Sequence, residues 1–300
     1  MQNRNNPLVS VAIVTYNHEK FITECLDSVL SQDYNNVEIV ISDDNSTDNT
    51  VAIINNFIKN RKTNISIKII TSNINEGVTA NTNKAHFNCK GKYIAWLGGD
   101  DLMLPGKIRK QVEILESNSD CNIVFHNLDV FDSESGKTLF LFSNLKRSNY
   151  QKKDLIKLGC INGACSNMVR RSATPPHGFY KYLPVAADWL YWIETIGNGT
   201  AIYINEVLGK YRRHSNNVTL KTNNISQADI DHLNTCNYLI KNSIKYFNEI
   251  RFRQSQIIFS LRNKMNYLEC LKYSLSIRIN LKALIALIVY YLTFTKYKFK

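Results

Sequence analysis

Hydrophobic and polar positions change period along this chain, and the changes mark out its elements. Residues 9–14 form a short run rich in Val and Ile, and residues 37–41 form another. Runs this short and apolar on both faces read as buried strands of a parallel sheet. Between them Phe21, Ile22, Cys25, Leu26, Val29 and Leu30 recur at helical spacing. Ser46 and Thr47 stand where a second helix, carrying Val51, Ile54 and Ile58, needs a cap. Strand patterns return at 65–70, 92–97 and 123–125, with helices expected near 79–87 and, after Pro105, over Ile108, Val112 and Leu115. This alternation predicts an α/β fold with a wound, mostly parallel sheet flanked by helices.

Regularity ends at about residue 127. Further strands are expected at 139–142, 166–169, 201–204 and 207–212, with a helix over 188–196. The polar stretch 216–224 reads as a boundary, and everything beyond it is helical in pattern. Two parts follow: a main domain over 1–220 and a helical extension over 221–300.

With 44% hydrophobic residues in 300, the chain can build a full core. Its net charge of +12 is unevenly spread: residues 251–300 hold ten Lys or Arg against one acid, Glu269. A basic tail on a near-neutral body implies an anionic surface as its partner, membrane or nucleic acid. The seven cysteines are irregularly spaced and include no Cys-x-x-Cys pair, which argues against a disulfide framework and against structural zinc. Reduced, buried thiols in a cytosolic protein are expected instead. The first seven residues lack an apolar segment, so no signal peptide is expected.

Chemistry gathers where the strands end. The first run exits into Thr15, Tyr16 and Asn17, the second into Ser42, Asp43, Asp44, Asn45, Ser46, Thr47 and Asp48. In open α/β sheets ligands bind beyond the carboxyl ends of the strands. An aromatic ring with several carboxylates suits a flat base, hydroxyls and a metal-held phosphate, which together describe a nucleotide. A dinucleotide-binding site is not expected, because no Gly-x-Gly-x-x-Gly follows the first strand.

Several blocks resemble, in order, those of the inverting family 2 glycosyltransferases of the GT-A fold. They are residues 9–19, Ser28 with Gln32, residues 38–48, residues 91–101 with Pro105, residues 187–192 and residues 211–214. The likeness covers about 9–218. It implies the GT-A nucleotide-diphospho-sugar transferase fold and an inverting, metal-dependent enzyme using Mn2+ or Mg2+. The implied donor is a nucleotide sugar, UDP-linked by preference. The implied acceptor is a lipid-linked glycan of bacterial capsule or lipopolysaccharide synthesis, met by a cytoplasmic protein peripheral on the inner face of the membrane.

Residue by residue, the resemblance puts Thr15, Tyr16, Asn17, Glu19, Asp43 and Asp44 at the nucleotide. A carboxylate there can accept from a uracil imide N–H; capping of the following helix is the alternative role. Asp100 matches the metal-ligating Asp, with Asp101 beside it, but Gly98 stands where many members carry the first Asp of a D-x-D motif. Gly98 and Gly99 let backbone approach a sugar closely. Asp188 matches the general base, with Ala187 where an acid often precedes it; a helix cap is its alternative role. His214 matches a position near the diphosphate or metal, or is a plain loop histidine. Arg212 and Arg213 are candidates for the leaving diphosphate. Thr82 replaces an Arg that would meet phosphate, leaving Lys84 as a substitute.

The tail has two readings. Residues 283–294 are uncharged and too short to span a bilayer, which needs about 20 residues. Arg278 and Lys282 precede them, and Lys296, Lys298 and Lys300 follow. Such a helix lies in an anionic membrane surface or packs on the body. Nucleic acid is not expected, since no binding motif or interleaved stacking aromatics accompany the charge. A sugar-binding protein without turnover is the functional alternative, motivated by Gly98.

Overall fold

The computed structural model describes residues 6–61, 63–215, 217 and 224–293. Its first half runs β1 (Val9–Thr15), α1 (Ile22–Leu30), β2 (Val37–Asp43), α2 (Thr50–Asn60), β3 (Ser66–Thr71), α3 (Val78–Asn88), β4 (Tyr93–Gly98), β5 (Leu102–Met103) and α4 (Lys107–Ser117). Then come β6 (Cys121–Asp132), β7 (Thr138–Leu141), β8 (Asn149–Tyr150), α5 (Lys152–Leu158), β9 (Met168–Arg170), α6 (Asp188–Ile196) and β10 (Thr200–Arg213). Four helices follow: α7 (Gln227–Asn242), α8 (Phe247–Ser260), α9 (Tyr267–Ile277) and α10 (Leu281–Leu292).

The strands form one mixed sheet in the order β3-β2-β1-β4-β9-β6-β10-β5, with β7 on β6 and β8 on β10. The four strands from β3 to β4 are parallel. β9 then runs antiparallel to both neighbours, β4 and β6, while β10 lies parallel to β6. Because successive side chains leave a strand on opposite faces, neighbouring residues join different cores. Val11, Ile13, Ile39, Ile41, Ala95 and Leu97 pack with α1, α2 and α4. Ala12, Val40, Ile94 and Trp96 point the other way, toward α3, α5 and α6. That second core also takes in Cys236 and Leu239 of α7 and Ile250 and Ile257 of α8. The first two helices of the extension are therefore built onto the sheet.

Two local differences from the sequence expectation have physical causes. The strands expected at 201–204 and 207–212 are one strand, β10, whose register shifts between Ile204 and Val207. Asn205 and Glu206 are exposed at that irregularity, which makes the pattern look broken. Ser46 and Thr47 do not cap α2; its cap position is Asn49, and Asp48 Oδ1 accepts from the Thr50 N–H at 2.9 Å. In the tail, α10 packs Ala283 and Ala286 against Phe259, Tyr267 and Leu271, while Leu281, Leu284, Ile285, Ile288 and Leu292 face outward. One face of α10 thus packs on the body and the other is exposed. No helix among the described residues is long and apolar enough to cross a membrane. The boundary at 220 and the flanking Lys296, Lys298 and Lys300 lie outside the described residues.

Candidate donor and metal site

Parallel register brings the strand ends together: Thr15 pairs with Asp43 across β1 and β2, and Val14 with Gly98 across β1 and β4. The loops leaving these ends hold each other. Asn17 adopts φ 55°, a left-handed conformation that Asn tolerates. Its N–H donates to Ser46 Oγ at 2.8 Å, and its Oδ1 accepts from the Thr47 N–H at 2.8 Å. Glu19 Oε2 accepts from the Asn49 N–H at 3.0 Å, and Asp48 Oδ2 accepts from the Glu19 N–H at 3.1 Å. Asp43 Oδ2 accepts from the Ser46 N–H at 2.8 Å. Asp44 accepts from the N–H groups of Glu76 and Gly77 at 2.9 and 2.8 Å. Burial raises the Asp44 carboxyl above its ordinary range, against the pull of the Gly77 N–H. Each of these residues has a structural duty in the loops. A carboxylate has about four lone-pair sites, so capacity remains for a ligand. Tyr16 is different: its ring is 41% exposed.

The Gly98-Gly99 turn decides the next arrangement. A Cβ on Gly99 would sit 2.8 Å from His18 Nδ1 and 2.9 Å from Thr15 Cβ, so only glycine lets this turn close on β1. A Cβ on Gly98 would sit 2.6 Å from Asp100 Oδ1. The carboxylate of Asp100 folds back into the space that a side chain at 98 would need. It meets two histidines there: His18, Asp100 and His214 each present one ligand atom within 4.8 Å of the others. His214 Nε2 lies 3.0 Å from Asp100 Oδ2, to which Asn217 Nδ2 donates at 3.2 Å. Burial works against the charge on Asp100, but the His214 hydrogen bond and the charges of His18 and His214 hold its carboxyl below the usual range. Burial likewise lowers His18. The His18 Nδ1 atom is buried without a hydrogen-bond partner among the described residues, and so is Thr15 Oγ1. An orphaned buried polar atom costs roughly 1–3 kcal/mol, so a ring nitrogen left this way beside a carboxylate and a second imidazole fits a metal ligand.

Three of the residues expected at the ligand are turned to other tasks. Asp101 Oδ1 accepts from the Arg212 N–H at 2.9 Å, inside the protein, and burial and then the neighbouring Asp100 push its carboxyl well up. Asp101 is not in the His18–Asp100–His214 cluster. Arg212 is buried: Nε donates to the Asp100 carbonyl at 2.7 Å, the guanidinium pairs with Glu24 at 2.5 Å, and it lies 4.8 and 4.6 Å from the rings of Phe21 and Phe131. It braces the backbone at Asp100. Lys84 is paired with Glu76 and bonded to Ser72. Arg213, by contrast, lines an open cleft of about 880 Å³ together with Asn17, Glu19, Asp48 and His214. That volume suits a small ligand of nucleotide size. Tyr16, Asp43, Asp44 and Asp188 are not among the residues lining it.

Asp188 opens α6, which packs against β6, α5 and α7. Its Oδ1 accepts from the Trp189 N–H at 2.9 Å. Burial raises its carboxyl, partly offset by the charge of His232 on α7. Trp189 and Trp192 are core residues, each 1% exposed.

His18, Asn217 and Glu24 were not singled out from the sequence as site residues. His18 sits between two candidates, Asn17 and Glu19, and a lone histidine there carries no spacing signal. Only the pairing of β1 with β4 puts it against Asp100.

Comparison with known proteins agrees with this architecture. The glycosyl transferase family 2 profile matches residues 10–174. An Escherichia coli protein, UDP-Glc:α-D-GlcNAc-diphosphoundecaprenol β-1,3-glucosyltransferase WfaP, is 30% identical over 71% of this chain and 80% of its own length. For two other curated relatives the chain spans less than half of their length, 45% and 42%. Among solved structures, S. aureus TarS in complex with UDP-GlcNAc superposes with a TM-score of 0.66 at 14% identity, covering 96% of this chain and 88% of that one. A mannosyltransferase from Pyrobaculum calidifontis, solved with GDP-Man and Mn2+, gives a TM-score of 0.62 at 16% identity over 98% of this chain and 82% of that one. Those two likenesses concern the fold. Sequence match, sheet order and strand-end site converge, and the chain belongs to glycosyl transferase family 2.

Proposed function

We propose that the protein moves a sugar from a UDP-linked donor to a hydroxyl of a lipid-linked glycan, with inversion at the anomeric carbon and with a divalent metal bound by His18, Asp100 and His214. The observation that carries the reading is the His18–Asp100–His214 cluster beside an open cleft at the carboxyl edge of the sheet. Two imidazoles and one carboxylate favour a transition ion, so Mn2+ is preferred over Mg2+. A cation held there would offset the charge that builds on the leaving diphosphate. Asp188 takes the proton of the acceptor hydroxyl. The acceptor oxygen then bonds to the anomeric carbon as the bond to the diphosphate oxygen breaks, and the nucleoside diphosphate leaves with that electron pair. No covalent enzyme intermediate is needed.

Asp43 or Asp44 accepts from the uracil imide, and Tyr16, half exposed, covers the base. The UDP-Glc donor named for WfaP and the UDP-GlcNAc bound to TarS support uridine; the GDP-Man of the mannosyltransferase makes guanosine the competing base. WfaP's diphosphoundecaprenol acceptor supports a lipid-linked substrate. The outward face of α10, with Leu281, Leu284, Ile285, Ile288 and Leu292 exposed and Arg278 and Lys282 nearby in sequence, is the surface that meets an anionic membrane. A panel of nucleotide sugars assayed for Mn2+-dependent nucleoside diphosphate release tests the reading. Release from a UDP-sugar supports it; release only from a GDP-sugar overturns the uridine assignment, and release from none overturns the transfer itself.

A further inference from the structure

The chain segment that delivers Asp188 is pinned at four successive residues. Thr79 at the start of α3 donates its hydroxyl to the Leu183 carbonyl at 2.5 Å and its N–H to the Pro184 carbonyl at 3.3 Å. The next two residues are held from the other side. Asp231 on α7 accepts the N–H groups of Val185 and Ala186 on one oxygen, Oδ2, at 2.8 and 2.9 Å. Its Oδ1 accepts from Gln227 Nε2 at 2.8 Å. Asp231 is fully buried, so a carboxylate there is costly unless its oxygens are bonded, and both of them are. Two residues past Ala186 comes Asp188. Loops into helices are ordinarily capped by their own residues, yet the cap residue of α6 is Ala187, which has no side chain able to do so. The fixing group is supplied from 45 residues away.

We propose that Asp231 is the positioning residue for the general base, holding the 185–186 backbone so that Asp188 is aimed at the acceptor hydroxyl. The proposal rests on Asp188 being that base. It gives α7 a part in the chemistry. The following residue, His232, adds to the same contact: its ring lies 5.8 Å from that of Trp189, the residue after Asp188. On the opposite side, α3 follows directly on Gly77, whose N–H is held by Asp44. The base is thus clamped between the donor loops and the C-terminal helices.

The test is steady-state transfer, with donor affinity measured separately, in Asp231→Ala and Asp231→Asn. Losing the acceptor lets the loop drift, and small misplacements of a reacting group cost roughly 10- to 100-fold in rate. Asp231→Ala should lower kcat by that factor while donor affinity stays within about twofold, as expected for an effect confined to the transition state. Asp231→Asn keeps an oxygen for the two N–H groups and should recover most of the rate. If Asp231→Ala loses its cooperative melt, Gln227→Ala takes its place, since Gln227 is exposed; a kcat loss of about threefold at unchanged donor affinity is then expected. Unchanged kcat in these variants, an Asn variant no better than the Ala variant, or donor affinity falling in step with rate overturns the positioning role. Asp188→Asn run alongside separates the two ideas. Full turnover of that variant refutes the base itself, whereas its collapse with Asp231→Ala unimpaired refutes only the clamp.

Discussion

The strand-end loops and the amino end of α6 both hold carboxylates in place, and they do it differently. At the ends of β1 and β2 the groups that fix one another are neighbours across the parallel register: Asn17 with Ser46 and Thr47, Glu19 with Asn49, Asp43 with its own turn. At α6 the bracing comes from α3 and from α7, on separate parts of the chain. The contrast extends to how fully each polar group is used. Glu19, Asp43, Asp48 and Arg212 are bonded into the scaffold, while His18 Nδ1 is buried without a partner among the described residues and Asp188 is bonded on one oxygen by its own helix. Scaffold and chemistry separate in part along that line. Arg212 and Asp48 hold the site, His18 and Asp188 are the groups proposed to meet metal and acceptor, and Asp43 and Asp100 do both, bonded within the loops with lone pairs to spare.

The strongest way to break this division is at Asp188. General-base catalysis contributes roughly 10²–10⁴-fold, so Asp188→Asn should lose about 10³-fold in turnover while donor affinity is kept. A parallel fall in donor affinity, seen by calorimetric titration, would make the residue structural.

The same residue gives a pH signature. The base works deprotonated, and burial raises its carboxyl. Lowering the pH therefore protonates it early, and the acid limb of kcat/KM should lie above the ordinary Asp value of about 3.9. Removing the opposing charge with His232→Gln should move that limb further up. A limb at or below the ordinary value contradicts a buried base.

On the scaffold side the expected effect is on stability first. Arg212→Met removes the bonds to the Asp100 carbonyl and to Glu24 while leaving a side chain between Phe21 and Phe131. A loss of about 1–3 kcal/mol in denaturant unfolding is expected. Equal loss in donor affinity without any loss of stability would return Arg212 to the diphosphate.

Smallest for turnover is the outer face of α10. Replacing Leu284 and Ile288 together with Ser should leave soluble-donor hydrolysis within about twofold, since every residue placed in the chemistry precedes α8, yet weaken binding to anionic vesicles. Basic residues near the surface contribute roughly 1 kcal/mol each through a screened field, so the remaining binding should fall with salt. Unchanged vesicle binding would remove the membrane from the account.

Legibility in the sequence followed the same division. Buried parallel strands announce themselves as β-branched runs, and strand-end acids sit directly after them, so β1, β2, β4 and residues such as Asp43 and Asp100 could be found by eye. Period alone could not show that β9 enters the sheet antiparallel between β4 and β6, because a three-residue strand has no period to measure. Motif matching put Asp101 and Arg212 at the ligand; their inward turn depends on the end of β10 lying against the turn that follows β4, a contact more than a hundred residues apart in the chain. His18 was hidden for the opposite reason. Its sequence neighbours carried the motif, and its own meaning came from Gly98, where the absent side chain leaves room for Asp100 to meet it.

Whether His18, Asp100 and His214 hold a metal used in sugar transfer is settled by a Mn2+ titration of chelator-treated protein, followed by calorimetry and by donor turnover, in the wild type and in His18→Ala. One Mn2+ per chain is expected in the wild type, with turnover that rises with occupancy and a loss of at least about tenfold in metal affinity when His18 is removed. Full turnover in the presence of chelator, or Mn2+ affinity untouched by His18→Ala, would contradict the metal assignment.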